Sequence, residues 1–150
     1  MDLTKNEEIY CDWAATAIFD KEILENSLKK QIEFNGNPSS VHRLGIEAKK
    51  ELQQLRERCA KVLGVKAENL FFTSGGTESD QIPLANLLLR PSPGSIVISD
   101  IEHPAITEMA ENLKNCGWKV NYAHCDKNGI VTAKSVINSI DNDTALVCIM

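Results

Sequence analysis

Long apolar runs are missing from this 150-residue chain, and so is any excess of basic charge. No stretch approaches the roughly 20 residues that a membrane-spanning helix needs, and Met1-Asp2-Leu3-Thr4-Lys5-Asn6-Glu7-Glu8 lacks the apolar core of a signal peptide. A cytoplasmic protein with no membrane partner is expected. Sixteen Lys plus Arg against 21 Asp plus Glu give a net charge of −5 without long like-charge blocks, which argues against nucleic acid as a partner. Cys-x-x-Cys pairs are also missing. Cys11, Cys59, Cys116, Cys125 and Cys148 are odd in number and widely spaced, so neither a disulfide framework nor a zinc site is indicated, and each is expected as a buried, reduced thiol. His124-Cys125 is an adjacent pair of ligand type, but no cluster accompanies it and no metal is expected. Internal repeats and low-complexity segments are absent too.

What remains is an ordinary soluble composition, 43% hydrophobic and 25% charged, in a chain long enough for one domain with a real core. It is organised around Leu70-Phe71-Phe72-Thr73-Ser74-Gly75-Gly76-Thr77-Glu78-Ser79-Asp80. An apolar, β-prone run enters two glycines and a helix-start signal, which reads as strand, tight turn and helix N-terminus. Unpaired N–H groups and the helix dipole make such a start an anion site, with Gly75 and Gly76 allowing close approach and Thr77 offering a hydroxyl. Thr77 to Asp80 equally fits a Ser/Thr N-cap with an acid three residues on, which needs no ligand. Glu78 and Asp80 would repel a phosphate unless they point away. The glycines form neither a P-loop nor a Gly-x-Gly-x-x-Gly fingerprint. On local sequence both readings stand.

Along the chain, Glu8 to Asp12 predicts a short β-like entry into the small residues of Trp13 to Ala17. Asp20 predicts the cap of a helix through Ile23, Leu24 and Leu28, broken at Phe34 to Ser40. Apolar residues at helical spacing predict a second helix from about Val41 to Leu63, with Gly64 as its C-terminal stop. Ile82 to Leu89 predicts more helix, with Pro83 tolerated as a first-turn proline, and Arg90 to Gly94 ends it. Ser95 to Ser99 reads as a strand buried on both faces. There follow a helix from Pro104 to about Asn115, a strand Trp118 to Ala123, a turn at Asp126 to Gly129, a helix Ala133 to Ile140 and a strand Thr144 to Ile149. This alternation predicts an α/β fold, a mainly parallel sheet with helices on both faces and ligands at the carboxyl ends of the strands. Two loops lie at such ends, Ser74 to Thr77 and Asp100 to Pro104, and both could face one crevice with His103 in it.

Asp12-Trp13-Ala14-Ala15-Thr16, Gly36-Asn37-Pro38-Ser39-Ser40-Val41-His42, Phe72 to Asp80 and Glu102-His103 stand in the order and spacing of one family. The chain resembles the cysteine desulfurases of the NifS/IscS type, pyridoxal-phosphate (PLP) enzymes of the class V aminotransferase group. The resemblance covers essentially the whole chain and only the N-terminal part of the family pattern. It implies the N-terminal part of a fold-type-I aminotransferase large domain, with residues 1–40 as the N-terminal segment and 41–150 as a partial PLP-binding domain. It also implies a homodimer and conversion of L-cysteine to L-alanine, with sulfur passed as persulfide to an enzyme cysteine and then to a scaffold or carrier protein.

By motif position, Gly76 and Thr77 resemble the residues that hold the cofactor phosphate, and His103 resembles the histidine that stacks on the pyridine ring and assists proton transfer. Asn37 to His42 is similar to a family loop near the active site, without an assigned role; Asp12 to Thr16 is expected to pack. Trp13, Ala17, Gln81 and Gly76 depart from the residues frequent in the family, none in a way that excludes the cofactor. The Schiff-base lysine, the Asp at the pyridine nitrogen and the sulfur-accepting cysteine have no counterpart among positions 1–150, so the chain alone is expected to be inactive. Two alternatives remain: a fragment of a selenocysteine lyase or another class V aminotransferase, and a non-catalytic association module.

Overall fold

The computed structural model describes residues 9–150, which divide into two compact units, one ending at Phe71 and the other running Phe72–Met150. In the first, α1 spans Lys21–Glu33 because Asp20 holds extended backbone and its carboxylate accepts the Ile23 N–H at 3.0 Å. Helix α2 spans Arg43–Leu63 and stops at Gly64, whose φ of 68° is the left-handed conformation that glycine adopts without penalty. Its cap is His42, whose Nδ1 accepts from the Gly45 N–H at 3.4 Å. Lys30 and Glu51 tie the two helices at 3.1 Å.

Three expectations fail along the chain up to Thr73. Glu8, the start of the β-like entry, lies outside the described residues, and Ile9 to Asp12 form no strand. Asp12 to Thr16 enter no buried core: they are exposed in a turn where Ala15 and Thr16 N–H groups donate to the Asp12 carbonyl at 3.2 Å and Trp13 meets the Tyr10 ring edge-on at 5.6 Å. Leu70 is extended, yet the run Leu70 to Thr73 joins no sheet. Local β-propensity selects the backbone, but a strand needs a ladder neighbour that only the tertiary fold can supply.

The second unit follows the expected alternation closely. Its elements are α3 (Gly76–Asn86), β1 (Ser95–Ser99), α4 (Pro104–Asn115), β2 (Lys119–Ala123), α5 (Ala133–Ser139) and β3 (Thr144–Cys148). The strands are parallel in the order β2-β1-β3, with Ile96 opposite Val120 and Leu146. The chain leaves β1 in one direction for β2 and returns across β1 for β3. With the usual right-handed crossover, reversal puts α4 and α5 on opposite faces, as the α/β reading requires. Central β1 is buried throughout. Ile96 and Ile98 pack with Leu84, Leu87, Ile106, Ala110, Leu113 and Trp118, which join α3 and α4 to one face. At the opening of the strands the buried Ser95 hydroxyl meets Asp141 and, at 3.0 Å, Thr144. Lys119 and Asn121 reach the same Asp141 carboxylate, so these partners hold its pKa well below the carboxylate range.

Two local details differ from expectation. Helix α3 starts at Gly76, so Pro83 lies in its interior and leaves the Ser79 carbonyl without its helical donor. The helix ends soon after, at Asn86, and passes into a tighter turn over Leu87–Leu89. The cysteines are free but not buried: Cys11, Cys59 and Cys116 are exposed, and Cys125 and Cys148 are half-buried.

Candidate active site

The cap of α3 is Gly75, not Thr77. Its φ of 168° is extended backbone open to any residue, and no side chain caps the helix. Thr77 falls inside the first turn, so the capping-box reading of Thr77 to Asp80 does not hold. A Cβ added at Gly75 or Gly76 would meet nothing within 4 Å. Neither backbone strain nor a neighbour demands glycine there, and the space in front of the helix start is open.

The turn is braced from behind. Thr73 Oγ1 lies 2.7 Å from Ser79 Oγ and donates to the Gly75 carbonyl at 3.2 Å. The Glu78 carboxylate folds back to accept the Ser74 N–H at 2.6 Å, and that bond lowers its pKa. Glu78 thereby braces its own turn as a carboxylate.

His103 ends the loop after β1 and caps α4, its Nδ1 accepting from the Ala105 N–H at 3.1 Å, while Pro104 opens the helix. Histidine is an uncommon cap, and the Pro at the first helical position was the only sequence signal for it. His103 lines an open cleft of about 380 Å³ at the carboxyl ends of β1 and β3, with Ser79, Asp80, Glu102, Cys148 and Met150 also at its wall. The structure brings the His103 loop together with the Ser79 to Pro83 part of α3, whereas the Ser74 to Thr77 loop expected in the same crevice is not at its wall. Gly76 and Thr77 are exposed at the helix start and do not line this cleft.

Ser99 went unnoticed in the sequence, and the contacts of Asp100 and Cys148 were not legible there. Ser99, fully buried at the end of β1, donates to Glu102 Oε1 at 2.6 Å and accepts from the Met150 N–H at 3.3 Å. Asp100 accepts the Cys125 N–H at 3.0 Å and holds His124 Nδ1 at 3.1 Å, so adjacent His124 and Cys125 converge on a carboxylate. No group of residues suited to a metal ion occurs among the described residues. Burial first, then the charges of Glu102 and Asp80, push the Cys148 thiol up. It is thereby kept protonated and weakly nucleophilic, the opposite of what a sulfur-accepting cysteine needs.

The start of α3 is a helix N-terminus with open glycines, and the His103 imidazole stands apart from it at the strand ends. The class-V aminotransferase family model matches residues 9–150, and the chain belongs to that family. It is 36% identical to the cysteine desulfurase IscS of Methanosarcina thermophila over 149 residues, 98% of this chain and 37% of that protein. Among solved structures, a NifS-like protein matches with a TM-score of 0.83 at 38% identity, over 91% of this chain and 38% of that one. SspA in complex with cysteine matches with a TM-score of 0.84 at 29% identity, over 95% of this chain and 42% of that one. The chain spans well under half the length of these relatives.

Proposed function

We propose that this chain supplies the phosphate end and one ring face of the PLP site of a cysteine desulfurase. The observation that carries the reading is the start of α3, where no side chain caps the helix and the space before Gly75 and Gly76 is open. There the Gly76 and Thr77 amides and the Thr77 hydroxyl would hold the phosphate, aided by the helix dipole. His103 would lie over the pyridine ring. With Nδ1 engaged by the Ala105 N–H, Nε2 would be the nitrogen left for proton transfer. When bound, PLP supplies the electron sink that weakens bonds at the amino-acid α-carbon.

The residues present fit the group, and a lysine to anchor it comes from outside this half-site. In the whole enzyme L-cysteine is the substrate, as the cysteine-bound SspA relative suggests. The resemblance implies a homodimer that would hand sulfur to a scaffold or carrier protein, and we place it in the cytoplasm as the sequence led us to expect. The relatives favour this over a selenocysteine lyase or an association module.

Titrating the 150-residue chain with PLP, followed by borohydride reduction and peptide mapping, tests the reading. Saturable absorption changes without a unique lysine adduct, weakened at least tenfold in Thr77→Ala or His103→Ala, are expected from the loss of charge-assisted and stacking contacts. Labelling of scattered surface lysines alone would overturn it. No alanine should form from cysteine.

A further inference from the structure

We propose that Ser99 and Glu102 are positioning residues that set the imidazole of His103, an inference resting on the reading of His103 as the ring-stacking group. The Ser99 hydroxyl has one hydrogen to give, and it goes to Glu102 Oε1 at 2.6 Å; in return the hydroxyl accepts the Met150 N–H at 3.3 Å. One fully buried oxygen therefore joins the end of β1, the following loop and the residue beyond β3. Between Ser99 and Pro104 the loop has four residues, and three are tied down. Asp100 is held by the Cys125 N–H, Glu102 by Ser99, and His103 by the Ala105 N–H. A ring that must stack on a cofactor has to be held to about 0.5 Å, and supporting hydrogen bonds do this better than a free loop. Glu102 is half-buried at the cleft wall, next in sequence to the ring it would steady.

The competing explanation is that Glu102 merely satisfies a buried hydroxyl and that His103 is held by its own cap. The two are separated by Glu102→Gln, which keeps the acceptor, against Glu102→Ala, which removes it. Nitrogen-15 NMR of the His103 ring reads the tautomer directly, without catalysis. The wild type and Glu102→Gln should show one tautomer, protonated on Nε2; Glu102→Ala should show a mixture and bind PLP roughly tenfold more weakly, the effect of losing a supporting hydrogen bond. Ser99→Ala should behave as Glu102→Ala, and the Glu102 pair keeps the test alive should that buried substitution disrupt folding. A wild-type tautomer and PLP affinity in Glu102→Ala would overturn the positioning role. Tautomer shifts as expected, in a wild-type chain that binds no PLP, would support the positioning and overturn the cofactor reading instead.

Discussion

Because Nδ1 of His103 accepts the Ala105 N–H, a neutral ring carries its proton on Nε2, on the side free to meet a ligand. His42 caps α2 in the same way, so two of the three histidines cap the N-termini of helices. Neither role is legible from composition, since capping preferences point to Ser, Thr, Asp and Asn. Thr77 shows the converse, a preferred capping type that lies inside the helix because the extended Gly75 starts it first. Cys148 is a residue whose surroundings alter its chemistry, burial and two nearby acids raising the pKa of its thiol. At pH 8 iodoacetamide should label it more slowly than exposed Cys11, Cys59 and Cys116, since partial burial limits access and a raised pKa cuts the reactive thiolate. Glu102→Gln should speed that labelling by removing one of the two nearby charges; mass spectrometry of timed digests reads both rates.

At the scale of elements, the termini written into side-chain chemistry were legible. Asp20 starts α1, Gly64 ends α2 and Pro104 opens α4, each through a local interaction that needs no distant partner. Strand β1 was legible as well, because only a strand covered on both sides tolerates five buried residues in a row. Leu70 to Thr73 was misread for the complementary reason, that its β-prone residues promise a ladder that a sheet elsewhere has to provide. Helix α4 is the element on which the core depends, with Ala105, Ile106, Ala110 and Leu113 all buried. Leu113 is fully buried in the cluster beneath Ile96 and Ile98. Leu113→Ala should therefore destabilise the unit by about 2–5 kcal/mol, measured by urea denaturation.

Across the whole molecule, apolar burial is unevenly shared. Helix α1 buries none of its residues, and α2 buries only Gly45, Ala48 and Ala60. The buried cluster lies instead in the unit from Phe72 to Met150. Opening free energy follows buried contacts, so amide hydrogen exchange should be slowest in β1 and the buried face of α4 and fastest in α1. Uniform protection across both units would contradict this distribution.

The sequence by itself determined the α/β alternation, most helix ends and the motifs that mark the family, because these rest on residue spacing and on chemistry within a turn or two. Tertiary structure alone decided which β-prone run found a sheet, how Asp100 gathers His124 and Cys125, and how the buried Ser99 hydroxyl links Glu102 to Met150. Those contacts bring together groups up to 51 positions apart, so the chain must close the intervening loops before their hydrogen bonds can form.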